Sequence, residues 1–187
     1  MEHYYETIGE NWFSYAEFYK DIVDQLSDDA LIVEVGCWKG RSTCCLGVEI
    51  LNSKKNINLF CVDSWKYIPS TEQPISSQEE FDKVYFEFLD NIKPFASLTT
   101  IIREDSNKAA KSFADESLDF IFVDANHTYE SVKDDVYAWI PKLKKGGIIA
   151  GHDYFTRVHP GVKQAIDEIF KENVSFIPEQ NVWIFIK

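Results

Sequence analysis

The 187-residue chain predicts an α/β fold: a doubly wound, mostly parallel sheet of seven strands with an antiparallel C-terminal hairpin strand. Three observations predict it. Short apolar runs rich in Val, Ile and Phe recur, amphipathic stretches of helical length separate them, and the last two runs flank the turn signal Pro178-Glu179-Gln180-Asn181. The runs are nearly continuous rather than alternating, which suits strands buried on both faces of a parallel sheet.

The elements follow in order. Residues 13–26 are apolar at helical spacing, and Trp12, Phe13, Tyr15, Phe18 and Tyr19 give this stretch an aromatic set that packs on a sheet face or covers the mouth of a site. The first strand is Leu31-Ile32-Val33-Glu34-Val35, followed by a helix over about 41–52. Residues 58–63 form the second strand, 76–91 a helix, 98–103 the third strand and 106–114 a short helix. The fourth strand spans 118–124, and a helix over 129–143 sets Asp134, Asp135, Lys142 and Lys144 on a solvated face. The fifth strand spans 147–151, a helix follows at 160–172, and the hairpin pairs 174–177 with 182–186.

Composition narrows the function. With 45% apolar residues the chain buries one sizeable core and is too short for two ordinary domains, so residues 1–28 read as a helical cap on a core over 29–187. Asp and Glu outnumber Lys and Arg by 31 to 19, and the net charge of −12 repels nucleic acid and anionic membrane surfaces. The apolar runs are strand-sized and no basic-then-apolar leader opens the sequence, which predicts a cytoplasmic protein. Cys37 and Cys61 sit in apolar segments and Cys44 and Cys45 are neighbours, so reduced core thiols are expected rather than a thiolate zinc site.

The first strand runs into Glu34-Val35-Gly36-Cys37-Trp38-Lys39-Gly40-Arg41-Ser42, a tight turn that opens a helix. Glycines let a ligand approach the backbone, and a helix N-terminus offers unpaired N–H groups. No Gly-Lys-Ser/Thr follows at the P-loop spacing, and Trp38 stands where a dinucleotide fingerprint needs its second glycine. Glu34 suits a ligand carrying a cation and an amine, and S-adenosylmethionine is such a ligand. Polar residues also end the later strands: Asp63-Ser64-Trp65 the second, Asp105-Ser106 the third, Asp124-Ala125-Asn126-His127 the fourth, and Gly151-His152-Asp153-Tyr154 the fifth. In an open α/β sheet these ends surround the ligand crevice. Asp124 and Asp153, with His152 or Asn126 as a third donor, form a candidate site for one divalent cation.

The pattern Glu34-x-Gly36-x-x-x-Gly40-x-Ser42 resembles the first motif of class I S-adenosylmethionine-dependent methyltransferases, and with it a Rossmann-like sheet. The stretches Asp124-x-Asn126-His127-x-Tyr129-Glu130 and Gly151-His152-Asp153-Tyr154 resemble the small bacterial macrocin-type O-methyltransferases, and more distantly catechol O-methyltransferase. The resemblance covers roughly residues 30–170. It implies that Glu34, Gly36, Gly40 and Ser42 contact the cofactor, that Asp63, with Ser64 and Trp65, takes the ribose, and that Asp105 and Ser106 meet the adenine. It further implies that Asp124, His152 and Asp153 hold magnesium or another divalent ion. Many relatives carry a second Asp where this chain has Asn126, and catechol-type enzymes show Asp-Asn in place of His152-Asp153.

The implied reaction is O-methylation of a hydroxyl on a sugar, small polyol or catechol-like acceptor. His127 is its candidate general base, with Asp124 beside it; capping the next helix and ligating the metal are the other roles open to His127. Asp63 and Asp105 have helix or turn capping as their alternative, and His152 a satisfied buried histidine. Residues 66–74, with two prolines, read as a lid, and Arg157 either meets an acidic group of the acceptor or stays on the surface. The N-terminal aromatics offer a homodimer contact. A catalytically inactive S-adenosylmethionine-binding module serving a partner protein and a nicotinamide-dependent oxidoreductase are the competing readings.

Overall fold

A computed structural model describes residues 1–69 and 75–187. The segment expected as a lid falls partly on 70–74, outside the described residues, while its first residues Lys66 and Ile68 border a cavity described below.

Among the described residues seven strands form one sheet: β1 (Leu31–Val35), β2 (Asn58–Asp63), β3 (Thr99–Arg103), β4 (Leu118–Val123), β5 (Leu143–Gly151), β6 (Ser175–Ile177) and β7 (Val182–Ile186). Their order is β3-β2-β1-β4-β5-β7-β6, and β7 alone runs against the rest. This is the mostly parallel sheet with one reversed C-terminal strand that the apolar runs predict. The helices are α1 (Ala16–Gln25), α2 (Arg41–Ser53), α3 (Gln78–Asn91), α4 (Ser106–Ala109), α5 (Tyr129–Trp139) and α6 (Pro160–Phe170).

Successive side chains of a strand point to opposite faces, and here both faces are buried. Ile32, Phe120 and Phe122 join α1, α2 and α3 in one apolar layer, while Val33, Val35, Ile121 and Val123 join α5 and α6 in the other. Burying each such side chain contributes about 1.5–3 kcal/mol. All four cysteines are free and buried, and burial pushes the Cys44 thiol up to about 12. Among the described residues no helix is long and apolar enough to cross a membrane.

Three elements differ from expectation. The helix predicted over 129–143 ends at Trp139; Pro141 lacks an N–H to continue it, and Ile140–Lys142 form a 3₁₀ turn. Leu143 already pairs with Leu118, so β5 starts there rather than at 147, and a bulge between Leu118 and Phe120 absorbs Gly146, whose φ is +80°. The expected solvated face therefore breaks up. Asp135 is buried at 6% exposure, whereas Lys144 lies on β5 and bonds Asp119 at 2.8 Å. The helix predicted over 106–114 contracts to α4 and a 3₁₀ turn at Ala110–Ser112.

Candidate functional site

The carboxyl ends of β1, β2, β4 and β5 meet above the sheet. The turn after β1 is forced close: Gly36 has φ +89°, its N–H donates to Val62 O at 2.8 Å, and a Cβ there would stand 2.0 Å from Asp124 O. Only glycine fits that approach. Trp38 (φ +50°) and Trp65 (φ +41°) hold the left-handed conformation that bulky residues avoid. Asp63 secures both, its Oδ2 accepting the N–H groups of Cys37 (2.9 Å) and Trp38 (3.0 Å) and its Oδ1 that of Trp65 (2.9 Å). Burial raises the Asp63 carboxyl above its ordinary value, and these N–H groups oppose the rise. The Trp65 indole donates to Trp38 O at 2.9 Å, joining the two turns again.

A first cavity of about 390 Å³ opens over these turns, bordered by Gly36, Asp63, Ser64, Asp105, Ser106 and Asp124. At its far end the Ser106 hydroxyl accepts the Trp139 indole N–H at 2.8 Å and bonds Asp135, whose carboxyl burial pushes up to about 6. A second cavity, of about 550 Å³, lies on the other side of Gly36 and Trp38. The N-terminal residues Trp12, Phe13, Ser14 and Tyr15 wall it, facing Ser42, His152, Asp153, His159 and Asn181. Asp124 and His127 border both cavities.

A cluster of acids and imidazoles fills that junction. His127 Nε2 lies 3.4 Å from Asp124 Oδ1 and 3.0 Å from Asp153 Oδ2; His152 Nδ1 lies 3.8 Å from Asp124 Oδ2 and 3.4 Å from Asp153 Oδ2. Tyr15 OH donates to Asp124 Oδ2 at 2.9 Å, and Asn181 Nδ2 donates to Asp153 Oδ1 at 3.1 Å. Burial pulls the His127 imidazole down, but hydrogen bonds and charge from Asp124 and Asp153 outweigh it and push His127 up to about 10. Burial opposes ionisation of Asp153, yet the two imidazoles hold it well below the usual carboxylate range. The ring of His127 stacks on His159 with centroids 4.0 Å apart. The ligand atoms of Asp124, His152 and Asp153 lie within 4.8 Å of one another, as do those of His127, Asp153 and His159. Carboxylates mixed with imidazole fit a divalent cation.

The remaining predicted residues fall in other places. Glu34 is fully buried beneath the turn, where it accepts Tyr19 OH at 2.8 Å and the Thr43 hydroxyl; burial pushes its carboxyl up to about 7. Gly40 caps α2 with φ +88°, and a Cβ there would face Phe88 and Ile92 in the core. The Trp65 ring packs on Tyr85 and Phe88, and Ser42 borders the second cavity rather than the first. Thr128 caps α5 by accepting Ser131 N–H, so His127 does not. Arg157 is exposed. Sequence reasoning missed Ser14, His159 and Asn181 as members of the site; Tyr15 was visible only as one of the N-terminal aromatics.

A family model described as a methyltransferase domain matches residues 33–154. Among curated proteins, the chain is 28% identical over 128 residues to the uncharacterized protein y4gI of Sinorhizobium fredii (strain NBRC 101917 / NGR234); the match spans 68% of this chain and 13% of that protein. Among solved structures, the O-methyltransferase NovP superposes with a TM-score of 0.68 at 17% identity, covering 93% of this chain and 79% of NovP. The calicheamicin methyltransferase CalS11 gives 0.66 at 15% identity over 92% of this chain and 77% of its own. SMU.1697c of Streptococcus mutans, solved with SAH, gives 0.62 at 12% identity over 91% and 96%. At these identities the likeness is one of fold.

Proposed function

Because this chain belongs to the methyltransferase-domain family, we propose that it moves the methyl group of S-adenosylmethionine to a hydroxyl oxygen of a small sugar, polyol or catechol-like acceptor. One observation carries the reading. Two cavities of ligand size share a wall and meet at Asp124 and His127, as methyl transfer requires of a donor cleft and an acceptor cleft. The neighbours NovP, an O-methyltransferase, and CalS11, a TDP-rhamnose 3'-O-methyltransferase, support oxygen as the acceptor atom.

In this reading the first cavity takes the cofactor. Gly36 gives it backbone access, Asp63 and Ser64 face the ribose, and Asp105 and Ser106 face the adenine. Glu34, Gly40 and Trp65 act from beneath, holding the turn rather than touching the ligand. Asp124, His152 and Asp153 hold a divalent cation at the acceptor side. When bound, S-adenosylmethionine supplies an electrophilic methyl group and the cation supplies Lewis-acid polarisation of the hydroxyl. His127 stands where the hydroxyl proton must go, and the imidazolium it forms is stabilised by the carboxylates beside it. With Asp124 and Asp153 committed to a cation, the negative charge that raises His127 would be offset, and burial would favour the neutral imidazole that can accept a proton.

Calorimetric titration with S-adenosylhomocysteine, with magnesium and with chelator, tests the first cavity; micromolar binding is expected. Catechols and sugars are then screened for methyl transfer, where Asp124→Ala is expected to lower turnover by about 10²–10³-fold with the fold intact by circular dichroism. No binding under either condition sinks the cofactor assignment, and full turnover in the variant removes Asp124 from the chemistry.

A further inference from the structure

We propose that the centre formed by Asp124, His152 and Asp153 selects a borderline transition-metal dication of the zinc, cobalt or iron(II) type over magnesium, and that Ser14 of the N-terminal segment is the positioning residue that makes it do so. The inference rests on the cation-assisted reading above and goes on to name the ion class and the device that chooses it.

The proton inventory of Ser14 fixes the tautomer of His152. A serine hydroxyl has one proton to give. Ser14 Oγ donates it to Gln180 O at 3.0 Å, so toward His152 Nε2, 2.9 Å away, it is the acceptor. Nε2 therefore carries the hydrogen. In the neutral ring Nδ1 is then a bare lone pair, and it faces Asp153 Oδ2 at 3.4 Å and Asp124 Oδ2 at 3.8 Å. A nitrogen lone pair turned on two carboxylate oxygens calls for a positive charge between them, which either a proton on Nδ1 or a metal dication held by all three donors supplies. Donors about 2.1 Å from a common ion sit about 3.0 Å apart at right angles and about 3.4 Å apart at tetrahedral angles. The two His152 spacings, 3.4 Å to Asp153 and 3.8 Å to Asp124, lie at or within a few tenths of an ångström of the tetrahedral value, and all three donors are within 4.8 Å of one another.

The supports are those of a metal site. Tyr15 OH holds Asp124, Asn181 holds Asp153 and Ser14 holds His152, so each donor has an outer partner orienting it. His152 is buried at 8% exposure, with the Tyr15 ring 4.8 Å from its own. Magnesium takes oxygen donors and sheds water reluctantly, whereas imidazole nitrogen suits zinc, cobalt and iron(II).

The test is titration of the purified full chain with Co²⁺, Zn²⁺ and Mg²⁺ by calorimetry, with the visible absorption of bound Co²⁺ as a readout independent of turnover. Co²⁺ and Zn²⁺ are expected to bind at least about tenfold more tightly than Mg²⁺, with Ser14→Ala reducing Co²⁺ affinity about tenfold and Ser14→Thr restoring it. His152→Asn is expected to erase the margin over Mg²⁺ while S-adenosylhomocysteine still binds, which reports that the variant is folded. Equal affinity for Mg²⁺ and Co²⁺ in the unaltered protein overturns the selectivity alone. Retention of the Co²⁺ spectrum in His152→Asn, with its loss in His127→Ala, overturns the ligand assignment in favour of His127, Asp153 and His159. Absence of any metal binding, with S-adenosylhomocysteine bound, takes down the cation-assisted reading itself.

Discussion

The two cavities are built in different ways although they share a wall. The first is held by neighbours around consecutive strand ends: Asp63 binds the backbone of its own turn at Trp65 and of the turn beside it at Cys37 and Trp38. The second is held by side chains from distant parts of the chain, with Tyr15 on Asp124, Ser14 on His152 and Asn181 on Asp153. One cleft is thus preorganised by backbone N–H groups bonded to one carboxylate at the carboxyl ends of adjacent interior strands. The other exists only while the N-terminal segment lies against β4 and β5. Motifs at strand ends therefore report the first cleft, and acceptor choice is free to vary with the segment that walls the second.

Glu34 tests how far the two are tied together, and it carries the largest effect expected here. It accepts from Tyr19 on α1 and from Thr43 on α2, and so ties the helix behind the second cleft to the helix that opens after the glycine turn. Burial raises its carboxyl from about 4.5 to about 7, so the folded protein keeps a proton that the unfolded chain has released. The resulting stability is complete below about pH 4.5 and is lost as pH rises to about 7. At about 1.36 kcal/mol per pKa unit this amounts to about 3 kcal/mol. Glu34→Gln is expected to flatten that stretch of the profile in urea unfolding; parallel profiles for the two proteins would mean that Glu34 is ionised in the fold. Gly40→Ala sharpens the contrast on the first side. The left-handed φ costs about 1–2 kcal/mol and the added Cβ meets Phe88 Cδ2 at 3.0 Å, so the melting temperature falls while affinity for S-adenosylhomocysteine holds. Affinity lost at unchanged stability would return Gly40 to the cofactor cleft.

The same division explains what the sequence made legible. Strand ends were readable because apolar runs stop at polar residues, and Asp63, Asp105, Asp124 and Asp153 all stand where those stops predict. The start of β5 was not, because Leu143-Lys144-Lys145-Gly146-Gly147 continues the polar pattern of the preceding helix and its pairing with β4 is made across a bulge. Asp135 looked solvated because its hydrogen-bond partner, Ser106, lies on an element from another part of the chain. Ser14, His159 and Asn181 carried no local signal, since each reaches the site from a different segment. Glu34, Gly40 and Trp65 were found as motif members, yet a motif does not say whether a side chain faces the cavity or the core beneath it.

Trp12 gives the smallest effect and the finest cut between the clefts. Its ring is 55% exposed, lies 6.1 Å from that of Trp38, and borders the second cavity but not the first. A half-exposed indole contributes little to the fold, so Trp12→Ala leaves stability nearly unchanged. What it removes is apolar surface presented to whatever fills the second cavity, before and during the transfer alike. Uniform binding of that kind appears in KM and not in kcat. The expected result is a severalfold rise in acceptor KM, equivalent to about 1 kcal/mol, at unchanged kcat and unchanged affinity for S-adenosylhomocysteine. A matching loss of cofactor affinity would show that the N-terminal segment serves both clefts, and the separation drawn between them would fail at the wall they share.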